Sequence, residues 1–355
     1  MRVFLYLLAI SFLSFAPFST SVGQESQDTA QASVKKSRDS GYIEHLDTLL
    51  SLQSTISANQ MNYTLVYSED FRLVLSPNQV TNLSFGFSYR YLGFGIGFSP
   101  GFLNSGQNHS KKGESNLFNF RTSFNMHRFN LAIDLSSVKG FYLRNSAELK
   151  AALPDSPYLV FPDLRIGYFS MLLRYNVNPK FSTAALTGGT QIQRRSALTI
   201  LPSFQIATFK FRNESATAGL QQESTYSTDL NLLLPVAGTW VISGKFSASL
   251  GIGPSFGIDI FRSLAINDSN KVVLSQGTKF ITGYSLQTAL SYNHGRLFAG
   301  LESRYRSYGH KIEDLSRLIK EYSYFQLYVG WRLRAPRFMK KSLDWVNKIS
   351  PVDLD

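Results

Sequence analysis

The sequence predicts an all-β protein: a transmembrane, antiparallel, up-and-down β-barrel of about twelve strands (ten to fourteen), with a short N-terminal segment and a C-terminal amphipathic helix. Three observations point there. From Phe246 to Ile260 the chain alternates almost without a break: Phe246, Ala248, Leu250, Ile252, Pro254, Phe256, Ile258 and Ile260 on one face, Ser, Gly and Asp259 on the other. Only a strand separates side chains with period two, and apolar outside with small or polar inside is how a lipid-facing barrel wall reads. Aromatic residues make up 14% and charged residues only 17% of the 355, with 25 glycines. This suits a β protein with Tyr, Phe and Trp near membrane interfaces better than a soluble helical enzyme. Finally, mean hydropathy is −0.09, and beyond the N-terminus no apolar run approaches the roughly 20 residues of a membrane-spanning helix.

The chain begins as a secretion signal over residues 1–23. Arg2 is the charged region, Val3 to Phe15 the apolar core, and the small residues around Ser21 to Gly23 form the cleavage zone. Residues 24–61 read as a flexible periplasmic segment. Within it Ile43, Leu46, Leu49 and Leu50 are spaced for a short helix between Tyr42 and Ser57. The barrel is expected over 62–334 and a helical tail over 335–355.

Within the barrel, Leu83 to Tyr89 and Leu92 to Phe98 alternate, with a phase slip at Tyr91-Leu92 that marks a turn or bulge. Phe118 to Met126 and Phe129 to Leu135 pair around His127. Gly140 to Pro162 reads as a surface loop, Leu164 to Tyr175 as a strand, Arg212 to Thr225 as a polar loop. Asp229 to Ile242 meets Lys245 to Phe261 across Ser243-Gly244, and Phe280 to Asn293 meets Arg296 to Ser307 across His294-Gly295. Gly309 to Tyr322 reads as a loop helix and Tyr324 to Leu333 as the last strand. The short turns near Tyr91, His127, Asn178, Gly244 and His294 are expected on the periplasmic side. The loops around 188–195 and 212–225 break the up-down parity, so one strand there is split or missed. Phe246 to Ile260 would reach nearly 50 Å at about 3.3 Å per residue, past the ~9–11 residues a tilted spanning strand needs. Phe246 to Ile252 is therefore read as the spanning part, with a bent extension rising beyond it.

There is no Cys, hence no disulfide framework or thiolate metal site. None of the five histidines forms a close metal pair, and no cofactor is expected. His127 and His294 are the candidates for a lipid-acting Ser-His-Asp site. Gly93-Phe94-Gly95-Ile96-Gly97 lies inside a strand pattern, so its glycines mark a crowded strand face rather than a phosphate loop. The net charge is +12, without the basic tracts and interleaved aromatics of single-strand nucleic-acid binders. The expected partners are outer-membrane lipid and lipopolysaccharide, together with the barrel-assembly machinery, and no nucleic acid. In the inward phase lie Arg90, Arg121, Asp134, Arg165, Glu302, Arg304, Arg306 and Arg332, with Arg128 and Asp259. This set has two readings, an anion-attracting passage or pocket and a network of ion pairs filling a narrow barrel. In the tail, Phe338, Met339, Leu343, Trp345, Val346 and Ile349 oppose Lys340, Lys341, Asp344, Asn347 and Lys348 on a helical wheel. Phe338, Leu343 and Trp345 are thus candidate membrane-surface residues; a helix packed on the barrel mouth is the other reading.

At Gln191-Ile192-Gln193-Arg194-Arg195-Ser196-Ala197 the chain resembles an outer-membrane family classed only as a domain of unknown function (4421). Lys180-Phe181-Ser182, Ala184-Ala185, Lys139-Gly140-Phe141-Tyr142 and Tyr89-Arg90-Tyr91-Leu92-Gly93-Phe94-Gly95 add to the resemblance, which covers roughly Asn62 to Leu333. It departs from that pattern at Leu198-Thr199, where Gly-Ser is expected. The resemblance implies a β-barrel in a Gram-negative outer membrane and brings no catalytic residue. The expected function is a narrow channel or ligand-binding barrel with a basic lumen. The alternatives are a plugged structural barrel and a lipid-acting enzyme. A secreted β-sandwich is the soluble alternative.

Overall fold

The computed structural model describes residues 41–46, 48–66, 72–78, 80–104, 109–148, 157–187, 189–213, 222–266, 271–313 and 316–350. The expected signal peptide lies outside them. Seventeen strands are described. A small ribbon is made by β1 (Ile43–His45) and β9 (Gln191–Gln193). The wall begins with β2 (Leu49–Val66), β4 (Val80–Tyr89), β5 (Leu92–Phe98), β6 (Asn116–Met126), β7 (Phe129–Leu143) and β8 (Val160–Tyr175). It continues with β11 (Ser203–Asn213), β12 (Gln222–Leu233), β14 (Phe246–Ile266), β15 (Lys271–His294), β16 (Leu297–Glu313) and β17 (Ser316–Arg334). Every neighbouring pair is antiparallel, and β17 pairs with β2 from Arg317↔Val66 to Arg334↔Leu49, which closes a ring of twelve. Closure leaves no edge in the twelve-strand wall, the condition for a strand to cross lipid.

The other strands are local. β3 (Arg72–Ser76) returns over the top of β2 and touches β7. β10 (Ala197–Ile200) and β13 (Val236–Val241) extend β11 and β12 downward past breaks at Pro202 and Pro235. These are the split strands behind the broken parity. Pro254 of β14 lies beside one break: its carbonyl accepts from Leu234 at 3.1 Å, so its missing donor faces the interrupted side of the ladder. Gly253 is required there, because a Cβ would strike the Pro235 backbone. The crowding on the Gly/Ser face of β14 at this point comes from the neighbouring strand.

The alternation holds in three dimensions. Along β14, Phe246, Leu250, Ile252, Phe256, Ile258 and Ile260 are exposed, while Gly253, Ser255 and Asp259 are buried. The outward apolar face thus continues past Ile252 to Ile260. On β17, Phe325, Leu327, Val329, Trp331 and Leu333 face outward, nine residues that match a tilted membrane crossing. The rest of that 19-residue strand carries the wall further, with polar Ser323 and Glu321 on the same outward phase.

Two expected helices are strands. The apolar spacing between Tyr42 and Ser57 looks helical, but the chain forms β1 and most of β2, so the barrel starts at Leu49 rather than residue 62. Pairing to both β17 and β4 overrides the local pattern, and Ser51, Thr55 and Ser57 are the buried inward phase. Gly309 to Tyr322 likewise continues the β16–β17 hairpin, with Gly309↔Ile319 in register. Gly140 to Leu143 belongs to β7, not to a loop. Gly140 sits at a bulge with φ +91, where a Cβ would collide with the Glu114 carbonyl. The turns at Arg90 (φ 52), His127 (φ 43) and Gly295 (φ 55) fall at one end of the wall, together with the start of β2 and the end of β17.

Candidate functional site

The lumen is layered. Toward the long-loop end, Met61, Tyr63, Val80, Leu117, Val138, Phe141, Ile166, Ala207 and Phe209 form a buried apolar cluster. Beside it Lys320 donates to Asp229 (2.8 Å), Asp259 (3.1 Å) and Ser227 (2.7 Å), with its ammonium 4.7 Å from the centre of the Phe209 ring. All three of its donors are used, which is how a buried ammonium is tolerated. Tyr168 and Tyr322 stack at 6.5 Å below this layer.

Under the tyrosines lies a chamber of about 200 Å³, lined by Arg121, Arg174, Arg304, Arg306, Asp134, Tyr324 and Gln326 and by polar residues of β4 to β7. The glycines of β5 make room for the latter: a Cβ on Gly97 would overlap the Asn119 and Ser84 side chains. Arg121 pairs with Asp134 across β6 and β7. Arg304 donates to Glu302 at 2.5 Å. Glu302 is fully buried and also accepts from Gln287 (2.7 Å) and Gln326 (2.6 Å), so its carboxylate is a fixed anchor for Arg304. The Arg121 and Arg304 guanidiniums both lie over the Tyr324 ring, at 5.3 and 5.7 Å. Arg174 donates to the Asn130 amide oxygen at 2.6 Å. Neither Arg174 nor Arg306 has a carboxylate partner among the described residues.

The floor of the chamber is the segment between β8 and β10. Thr183, Ala184, Leu186, Gly189 and Thr190 line the cavity from below. Phe181 is buried against Leu201 and the inward Ala237. Gln193 donates to the Lys180 (2.7 Å) and Arg195 (2.9 Å) carbonyls and accepts from the Ser182 amide at 2.8 Å. Gln191 accepts from the Ser182 hydroxyl at 2.6 Å. The β1–β9 ribbon adds an Arg194–Glu44 ion pair with Nε 2.6 Å from the carboxylate, and Lys180 and Arg195 lie near the Tyr42 ring. Leu198-Thr199 lies in strand β10, and the Thr199 hydroxyl donates to Asn176 at 2.8 Å.

Of the residues singled out in the sequence, Arg121, Asp134, Arg304 and Arg306 come together around the chamber, with Glu302 behind Arg304. Arg332 is buried in the lumen nearer the short-turn end, over the Phe298 ring at 4.5 Å and donating to Asn293 at 2.6 Å. Two were misplaced. Arg90 is in the β4–β5 turn and binds Asp344 of the tail at 2.7 Å. Arg165 is exposed on the outward phase of β8, whose inward phase runs through Ile166, Ser170 and Leu172. Those inward apolar residues made the phase look lipid-facing, and for the same reason Arg174 was missed. Lys320 was hidden by the expected helix. His127 is in a turn and His294 ends β15, with no Ser–His–acid arrangement at either among the described residues.

The fold and its lumen define the class: an outer-membrane-type β-barrel whose interior holds an arginine-rich chamber. The chain belongs to the family described as Domain of unknown function (DUF4421), which matches residues 37–333. No curated protein matches the chain in sequence. Similar solved structures include the outer membrane protease OmpT from Escherichia coli: 5% identity, 82% of this chain and 98% of that chain covered, TM-score 0.39. Others are the β domain of the Bordetella autotransporter BrkA (10%, 78% and 98%, 0.35) and the Pseudomonas putida toluene transporter TodX (10%, 81% and 90%, 0.31).

Proposed function

We propose that the protein resides in the Gram-negative outer membrane, after removal of its signal peptide, and binds a small anionic ligand in the arginine chamber. The observation that carries this reading is the pair Arg174 and Arg306. Ion pairing accounts for Arg121 with Asp134 and for Arg304 with Glu302. Arg174 and Arg306 face the same chamber, and neither is ion-paired to a carboxylate among the described residues. Both guanidiniums are partly withdrawn from solvent, with Asp134 already engaged by Arg121, so an anion taken up between them adds the charge-assisted hydrogen bonds they lack. At about 200 Å³ the chamber is below the ~300–1,000 Å³ of drug-sized sites, which favours a compact ligand such as a phosphate, sulfate or short dicarboxylate. A packed floor on one side and an apolar layer on the other favour binding with gated passage over a standing open pore.

The test is calorimetric titration of the purified full-length protein in detergent with phosphate, sulfate and succinate, against neutral glycerol and cationic choline. Saturable binding of at least one anion, lost in the Arg174→Gln/Arg306→Gln variant, is expected. Heat equal to the neutral control for every anion, or binding that survives in the double variant, contradicts the proposal.

A further inference from the structure

The chain leaves the wall at Arg334 and, after Ala335-Pro336, forms a helix from Arg337 to Ile349. None of its residues is buried. Phe338, Trp345 and Ile349 are 69%, 57% and 60% exposed, and at 100° per residue they fall on one narrow strip of the helix. Met339, Leu343 and Val346, the adjoining strip, are partly covered. Arg337, Lys341 and Lys348 border the exposed strip on its other side, with Lys340 beyond. The one acid, Asp344, is bound to Arg90.

That ion pair sets the helix direction. Arg90 lies in the β4–β5 turn, two strand spacings from β17 by way of β2, or about 10 Å. From Arg337 to Asp344 the helix rises about 10 Å. The helix therefore runs tangentially along the barrel rim instead of dropping away from it. The rim is also where the wall carries exposed aromatics: Trp331, three residues before Arg334, with Trp240, Phe246 and Phe129 near the ends of their strands. Such aromatics mark the membrane–water boundary of a barrel.

We propose that this helix lies in the bilayer surface at the short-turn end, with Phe338, Trp345 and Ile349 inserted among acyl chains and Arg337, Lys341 and Lys348 on anionic phospholipid headgroups. The apolar strip continues the lipid-facing belt of the wall, and the basic border complements anionic lipid. Arg90–Asp344 is the strut that holds the helix level. The inference does not depend on what the chamber binds.

The native chain has no cysteine, so single spin labels can be placed cleanly. Phe338→Cys, Ile349→Cys, Lys341→Cys and Lys348→Cys are made in the full-length protein and reconstituted in vesicles of phosphatidylcholine, with or without phosphatidylglycerol. Labels at 338 and 349 are expected to favour oxygen over a water-soluble nickel chelate as relaxing agent. Labels at 341 and 348 are expected to show the reverse, and the oxygen preference at 338 and 349 is expected to grow with phosphatidylglycerol. Nickel access at 338 and 349 equal to that at 341 and 348 places the helix in water and overturns the proposal. Protection of 338 and 349 from both reagents means that protein covers the strip, and overturns it equally. Depth that ignores phosphatidylglycerol overturns the headgroup assignment.

Discussion

The Ser51 hydroxyl on the first wall strand donates to the Gly189 carbonyl at 3.3 Å, joining residues 138 positions apart. Ser51 is buried and points inward. The contact ties the segment beneath the chamber to the barrel wall, so the floor is part of the packed lumen and not an external loop.

Phe181 is the apolar anchor of that floor. Phe181→Ala is expected to cost the local packing about 3–5 kcal/mol while the closed wall remains folded. In planar bilayers the native protein should be mostly silent and the variant should open discrete conductance steps. Equal conductance for the two would mean that the floor does not gate the lumen.

Arg174 and Arg306 are expected to contribute individually. Losing one charged hydrogen-bonding partner is worth about 1.5–3 kcal/mol, so Arg174→Gln or Arg306→Gln alone should weaken anion binding by roughly 10–100-fold. Titration calorimetry reads this directly. Arg165→Gln, on the outward phase of β8, should leave affinity unchanged.

Lys320 makes a different prediction, about stability. It holds Asp229 and Asp259 together inside the barrel. Lys320→Met leaves two buried carboxylates facing each other and should destabilise the protein by about 3–5 kcal/mol. Adding Asp229→Asn and Asp259→Asn should recover most of that loss. The temperature at which the folded band disappears on unheated gels is the measurement; a triple variant as weak as the single one would refute the pairing account.

Gly140 tests the wall itself. Its φ of +91 and the adjacent Glu114 carbonyl make Gly140→Ala doubly unfavourable, and a loss of at least about 1–3 kcal/mol is expected from the backbone alone. An unchanged melting temperature would argue against the bulge between Lys139 and Phe141.

The wall was legible because period-two patterning is imposed by lipid on one side and a filled lumen on the other. The alternation makes Phe246 to Ile260 of β14 and Tyr324 to Leu333 of β17 legible as strand, whereas Ser316 to Tyr322 of β17 reads as helix. β2 did not, since its outward phase includes Ser54 and Ala58 beside Leu52 and Ile56, and the leucines ahead of it happen to fall at helical spacing. The chamber was legible in part. Arg121, Asp134, Arg304 and Arg306 carry the inward phase of polar strands. Arg174 follows inward apolar residues, so local pattern assigns it to the wrong face. The floor was visible only as a motif: Phe181, Gln191 and Gln193 could be picked out, but their task depends on hydrogen bonds to Lys180, Ser182 and Arg195 and on the packing of Phe181 against Leu201 and Ala237, which spacing does not reveal.

The central claim is that an anion sits between Arg174 and Arg306 above the 181–190 floor. Anomalous diffraction from crystals of the full-length protein soaked in selenate, a compact dianion with an anomalous signal, tests it most directly. The account predicts a peak inside the chamber within hydrogen-bonding distance of both guanidiniums, absent in the Arg174→Gln/Arg306→Gln variant. A chamber holding only water, with selenate confined to the outer surface, would contradict it.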